Sequence, residues 1–308
     1  TFDIQKLFWN QNNKIWSFDS SGDLATENDS SSDVSFDFSS KQENNQNDIG
    51  SKITMVVNDD KTAFAIAVDF NSEKSEFLKV YLFDSNGNKK IETKFEREVK
   101  DKYYLFQNIQ VSPDGSSIYL LAKTYNEEQN KKKEGGKYLF ELTKFTAASQ
   151  KSQFIDPKEH YISSLKTIFH NNQLICLGFY SNLRDYKYSG ISYFKIDQNS
   201  LEILTEKFNL FTNQFIQDKY GEGKPKALKY LSFRKVFFTK NNELIFNAEE
   251  EYIVSTSNYG SNGMSSSSQT SFNYDDIVSA KLNSDGDLDW ARNINKRQST
   301  TDDSSYIS

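Results

Sequence analysis

The chain has 308 residues, 36% of them hydrophobic, 26% charged and 15% aromatic, with a net charge of -6 and one cysteine. Its Lys and Arg residues form no stripe that could neutralise a row of phosphates, which argues against nucleic acid as a partner. No window approaches the roughly 20 apolar residues of a membrane-spanning helix, and Cys176 has no second cysteine to pair with.

The low apolar content is local. Polar stretches such as TENDSSSD after Ala25, KQENNQND after Ser40, NEEQNKKKEGGK after Tyr125 and GSNGMSSSSQTS after Tyr259 read as exposed loops. Between them lie segments rich in Phe, Tyr and β-branched residues, which favour strands. The basic run Lys131 to Lys133 is flanked by Glu127, Glu128 and Glu134 and reads as a solvated loop.

A short polar turn followed by an apolar strand recurs along the chain: NNKIWSFD at Asn12, DDKTAFAIAVDF at Asp59, DGSSIYLLAKTY at Asp114, NNQLICLGFY at Asn171 and NNELIFNAEEEY at Asn241. The second turn residues, Asn13, Asp60, Gly115, Asn172 and Asn242, are 47, 55, 57 and 70 residues apart, the last interval holding an extra polar loop over 215–228. A repeat near this period indicates one supersecondary unit used several times.

Each unit reads as a four-stranded antiparallel meander. A first strand (ITMVV, NIQV, LKTIF, RKVFF) enters the turn, whose Asn, Asp and Gly residues tolerate positive φ. The second strand follows, then a loop of variable length. A third strand (KVYLFD, KYLFEL, ISYFKID, IVSAKLN) and a fourth (IETKFE, KSQFI, EILTEKF, LDWARNI) close the unit. In AFAIAV, Ala63, Ala65 and Ala67 point to one face and Phe64, Ile66 and Val68 to the other. A strand apolar on both faces, one of them small, suits sheets stacked against neighbouring sheets. The fold expected is therefore all-β: a single β-propeller domain over residues 1–308, with six or seven four-stranded blades, part of which can lie beyond the chain. The chain opens on TFDIQ with neither an initiator Met nor a signal peptide, and YIS at 306–308 matches YIS at 161–163, so it reads as part of something longer, with a sixth repeat beginning at 306.

Two stretches resemble known repeats. VSPDGSSIYLL, residues 111–121, resembles the repeat of TolB-type propellers, in which a Ser-Pro-Asp-Gly turn joins two blade strands. DDIVSAKLNSDGDLDWARNI, residues 275–294, is similar to blades of exported bacterial propeller-repeat proteins, and KVYLFDSNGNKKIETKF is a second copy without the Trp. These resemblances imply a propeller of a Gram-negative cell envelope, in the periplasm or at the cell surface, anchored through an N-terminal segment not present here. They carry over no catalytic residue.

Candidate chemistry is sparse. Asp285, Asp287 and Asp289 alternate in NSDGDLDW and could present hard oxygens to Ca²⁺, although Gly286 falls too early for an EF-hand loop and a hairpin turn is the plainer reading. No other cofactor is expected. His160 and His170 have no Cys or His at metal-ligand spacing, Cys176 sits in an apolar run, and no Gly-x-Ser-x-Gly or phosphate loop is present. Arg184, Tyr186 and Tyr188 gather in SNLRDYKYSG as a surface for recognition. The function expected is a non-catalytic interaction module, an accessory subunit of an envelope protein assembly. The alternative is a propeller that binds glycans or degrades polysaccharides as a lyase or glycosidase.

Overall fold

A computed structural model describes residues 7–10, 15–18, 33–38, 51–70, 75–100, 103–125, 138–171, 173–182, 188–221, 228, 230–259 and 266–301. The described chain is all-β apart from one helix. It begins with the hairpin β1 (Leu7–Asn10) and β2 (Ile15–Phe18). Sheet I follows the order β3 (Asp33–Phe38), β4 (Ser51–Val57), β5 (Ala63–Phe70), β6 (Glu76–Asp84), β7 (Lys89–Arg97). Sheet II is the meander β8 (Tyr104–Val111), β9 (Ile118–Tyr125), β10 (Tyr138–Phe145), β11 (Gln150–Ile155).

Sheet III takes β12 (Tyr161–Ile162), β14 (Gln173–Ser181), β15 (Gly190–Asp197) and β16 (Ile203–Leu210), with β13 (Lys166–His170) leading into β14 in sequence. Helix α1 (Asn213–Tyr220) precedes sheet IV, which runs β17 (Leu231–Phe238), β18 (Leu244–Tyr259), β19 (Ser266–Leu282), β20 (Leu288–Ile294), with β21 (Gln298–Thr301) added against β19. The pairings β3–β4–β5–β6–β7, β8–β9–β10–β11, β12–β14–β15–β16 and β17–β18–β19–β20, and that of β21 with β19, are antiparallel. The expected four-stranded meander is therefore present in sheets I, II and IV, and the marker turns at Asn13 and Asn172 lie outside the described residues.

The chain divides into two compact units. The first holds Thr1–Lys158, Thr167–Asn171 and Asn199–Glu202, and the second Glu159–Lys166, Asn172–Gln198 and Ile203–Ser308. In the first unit, sheets I and II share a core. Ala63, Ala65, Ala67, Leu78, Val80, Leu82 and Phe95 of sheet I meet Ile109, Val111, Ile118, Leu120, Ala122 and Phe145 of sheet II. The small face of AFAIAV is thus the face on which sheet II lies. Its large face joins a separate cluster of Ile53, Met55, Phe64, Ile66, Val68 and Phe83, where Phe64 and Phe83 stack at 5.0 Å. Each large apolar side chain buried in these clusters contributes about 2 kcal/mol relative to exposure.

In the second unit, Phe179 of sheet III stacks on Phe233 at 4.7 Å and meets Phe246 edge-on at 6.0 Å. Gly178 sits where a Cβ would come within 2.7 Å of the Ser164 carbonyl oxygen and 2.8 Å of Ile162 and Leu165. Only a residue without a side chain admits that approach.

Five hairpin turns share one construction, which the repeat marker only half identified. Asp84 ends a strand and Asn58, Ser112, Thr239 and Asn283 each directly follow one, and the carbonyl of each accepts the N–H three residues on, at 2.9 to 3.0 Å. The residue donating that N–H holds positive φ: Lys61 56°, Gly87 82°, Gly115 62°, Asn242 61°, Gly286 86°. The side-chain oxygen of the first residue then accepts two further backbone N–H groups, as Asn58 Oδ1 does from Thr62 and Ala63 at 2.9 and 3.0 Å. Ser112 Oγ does the same for Ser116 and Ser117 at 3.1 and 2.9 Å, and Asn283 Oδ1 for Asp285 and Asp287 at 3.0 and 2.9 Å. The left-handed residue is therefore Lys61 rather than the marker Asp60, while Gly115 and Asn242 fall where expected.

Lysines of one sheet grip these turns in the next. Lys90 Nζ donates to the Gly115 carbonyl at 3.3 Å, and Lys195 Nζ to the Ser284 carbonyl at 3.2 Å.

Two loop expectations are corrected. The polar stretch 215–228 contains most of α1, whose N-cap Thr212 accepts the Phe215 N–H at 3.2 Å and whose Phe215 is fully buried. Within GSNGMSSSSQTS, residues 266–271 are strand, because each pairs with a residue of β18 between Val254 and Tyr259.

Candidate interaction surface

The central strands of sheets I, II and III are buried on both faces: seven of the eight residues of β9 are buried, and eight of the nine of β14. In sheet IV the corresponding strand alternates. Leu244, Phe246 and Ala248 are buried toward sheet III, whereas Ile245 and Asn247 are half-buried on the opposite side.

That opposite face can be assembled from the register, since directly paired residues share a face. One row runs Phe237, Ile245, Lys281, Trp290 across the four strands. The next is Lys235, Asn247, Ser279, Arg292, and the third Ser232, Glu249, Ile277, Ile294. Phe237 is 43% exposed, Trp290 37% and Ile294 53%. Three strand spacings separate the aromatic ends of the first row, about 14 Å.

Several charges on and beside this face are settled in ion pairs. Lys281 lies 2.6 Å from Glu243 and 3.1 Å from Asp289. These two bonds raise the Lys281 pKa, and the bond to Lys281 holds Glu243 below the usual carboxylate range. Glu249, almost fully buried, receives Arg234 Nε at 2.8 Å and pairs with Lys296. Arg234 is the extra residue of a bulge between Phe233 and Lys235, which turns its guanidinium toward Glu249 and Glu251.

Helix α1 packs beside β20 and is held by charge. Lys219 Nζ lies 3.0 Å from Glu250 and 2.7 Å from Asp276. Arg292 pairs with Asp218, which lowers the Asp218 pKa. Burial pushes the Tyr220 hydroxyl up to about 12, with Glu250 and Asp276 adding to the rise.

Beyond this body, β18 and β19 continue together as a two-stranded ribbon. The register runs without a break from Glu251 opposite Tyr274 to Tyr259 opposite Ser266. On one side β21 covers the base of the ribbon, at Ser271 to Tyr274. On the other, β17 stops opposite Glu250, and Ile253 is 62% exposed and Val254 43%.

The three expected calcium ligands lie at one hairpin, between β19 and β20. Asp285 and Asp287 belong to the turn, and Asp289 is the extra residue of a bulge at the start of β20. Asp287 accepts from Lys207 at 2.8 Å, Asp289 from Lys281 at 3.1 Å, and Asp285 adds to the burial that pushes Tyr193 up to about 12. Among the described residues no three His, Cys, Asp or Glu side chains are placed to hold one metal ion.

Of the expected recognition surface, Arg184 and Tyr186 lie outside the described residues. Tyr188 packs its ring 5.5 Å from Phe179, with its hydroxyl 3.2 Å from Ser163 Oγ. Cys176 is fully buried, and burial pushes its thiol up to about 12, the setting of a core residue. His160 lies between Tyr180 and Phe208, at ring distances of 4.6 and 4.2 Å.

No family model matches the chain, and no curated protein matches it at a significant level. Among solved structures, it is similar to a subtype N11 neuraminidase-like protein of A/flat-faced bat/Peru/033/2010, at 9% identity and a TM-score of 0.32, covering 83% of this chain and 85% of that one. It is also similar to prolyl oligopeptidase B from Galerina marginata, at 10% identity and a TM-score of 0.27, covering 76% of this chain and 40% of that one. Likeness at these scores carries no inference about activity or substrate.

Proposed function

We propose that the chain is a non-catalytic interaction module whose four-stranded sheets are blades of a β-propeller and whose open face on sheet IV docks a partner protein. The observation that supports this is the contrast between strands: β5, β9 and β14 are buried on both faces, whereas β18 leaves one face to solvent, rimmed by Phe237, Trp290 and Ile294. Exposed aromatic anchors beside satisfied polar groups are the anatomy of a docking surface. In this reading the protein is exported and serves as an accessory subunit of a Gram-negative cell-envelope assembly, an assignment supported by the resemblance of residues 275–294 alone.

The test is to tag the protein in its own cells, solubilise the membranes gently and identify what co-purifies in fixed stoichiometry, with and without the double substitution F237S/W290S. A partner lost from the double variant supports the reading. A protein that comes away alone contradicts it.

A second reading rests on the same face. Phe237 and Trp290 end one row of this face, beside a polar row that carries Lys235, Asn247 and Ser279, a spacing that suits sugar rings stacked at both ends and hydrogen-bonded alongside. Retardation of the intact protein, but not of W290A, in gels cast with polysaccharide would favour glycan over protein.

A further inference from the structure

Among the described residues, nothing pairs with the outer edge of the β18 ribbon beyond Glu251. The Glu251 N–H donates to the Tyr230 carbonyl at 2.9 Å, which fixes the parity of the strand: N–H and C=O groups of odd-numbered residues point away from β19. Beyond Glu251 no described strand meets them, so Ile253 and Ser255 present donors and acceptors outward.

Isolated edges are usually blunted by Lys, Pro, a bulge or a covering segment. Tyr252 to Asn258 reads YIVSTSN, with no charge and no proline, and its register against β19 has no bulge. The opposite edge of the same ribbon is covered by β21 from Ser271 to Tyr274. Another extended strand matches such a row group for group, because a strand repeats donor and acceptor at the same spacing.

We propose that a second copy of this chain covers this edge, pairing β18 antiparallel with β18 about a two-fold axis at Ser255. The self-pairing is compatible at every position. About that axis Ser255 faces its own copy, Ile253 faces Ser257, Val254 faces Thr256 and Tyr252 faces Asn258. Odd residues then meet odd residues, so the outward peptide groups form the hydrogen-bonded pairs of the ladder. The β-branched residues Ile253, Val254 and Thr256 suit that ladder, and no like charges are opposed, since Glu251 lies past its end. The two ribbons form one continuous sheet across the axis, an isologous dimer. This assembly does not involve the open face of sheet IV, so it stands or falls apart from the proposed partner docking.

The experiment combines mass measurement with a cross-link. Sedimentation of the intact chain up to about 0.1 mM is expected to show a dimer, and V254K/T256K, which sets lysines opposite lysines on exposed positions, a monomer with unchanged circular dichroism. F237S/W290S is expected to remain dimeric. Paired Ser255 residues would lie about 5.5 Å apart at Cα, within disulfide reach, so S255C cross-links under mild oxidation whereas Q269C, on β19, does not. An intact chain that stays monomeric overturns the proposal. So does a dimer in which S255C cross-links no more than Q269C.

Discussion

Strands β14 and β18 occupy the same place in their sheets, yet one is closed on both sides and the other on one. In LICLGFY every residue from Leu174 to Tyr180 is buried, and Gly178 lets the chain of residues 162–165 close on it. In LIFNAEE the buried Leu244, Phe246 and Ala248 alternate with Ile245 and Asn247, which face water, and with Glu249, which lies buried beneath Arg234 and Lys296. The difference shows what decides whether a sheet is an internal layer or keeps one face open. An internal layer needs apolar side chains at both parities, whereas a surface carries polar groups at one parity and settles their charges in local pairs.

The largest effect that would sharpen this contrast comes from an internal layer. Leu120→Ala removes a fully buried side chain between sheets I and II and should cost about 3 kcal/mol in urea unfolding. A loss below about 1 kcal/mol would mean that the two sheets are not packed as described. Gly178→Ala should follow, at about 2 kcal/mol, because the added methyl meets a carbonyl oxygen that cannot move freely. Asn58→Ala should cost about 1 to 2 kcal/mol, since the Thr62 and Ala63 N–H groups lose the acceptor that the buried Asn58 side chain supplies.

A smaller effect depends on pH. Burial alone would raise the Asp276 pKa, but hydrogen bonds from Lys219, Asn293 and the Lys296 N–H outweigh it and hold the carboxyl below its ordinary 3.8. The folded value is the lower one, so its stabilisation is present above the unfolded value and is lost as pH falls through the folded value. The melting temperature of the wild type should therefore drop in acid below about pH 4, and that of Asp276→Asn should drop less over the same window. Equal slopes would show that the clasp on α1 contributes nothing there. Smallest of all, Trp290→Ala should change stability by no more than about 0.5 kcal/mol, although it removes an exposed aromatic of the proposed docking face.

Much of the fold was legible in the residues. The closing strands of each meander, from IETKFE to LDWARNI, lie where alternation and turn residues put them. The turns were legible only in part: positive φ was assigned to the loop tips, while the residue that organises each turn, Asn58, Ser112 or Thr239, sits directly after the preceding strand and looks like its continuation. VSFDF of β3 alternates clearly but sits among polar repeats. The ribbon was hidden for a different reason, because Ser, Gln and Thr on a two-sided, solvated strand give no amphipathic signal, and only pairing with β18 orders them. The open face was visible in LIFNAEE, whose polar residues fall at one parity where AFAIAV has none, but the partners that settle Glu249 lie 15 and 47 residues away and follow from no local pattern.

The most direct test of the open face is hydroxyl-radical footprinting of the isolated protein, comparing aromatic residues by mass spectrometry. Phe237 and Trp290 should be oxidised rapidly while Phe64, Phe140 and Phe194, all fully buried, stay protected. Protection of Trp290 equal to that of Phe64 would mean that sheet IV is covered like the others, and the account of its outer face as the working surface would be wrong.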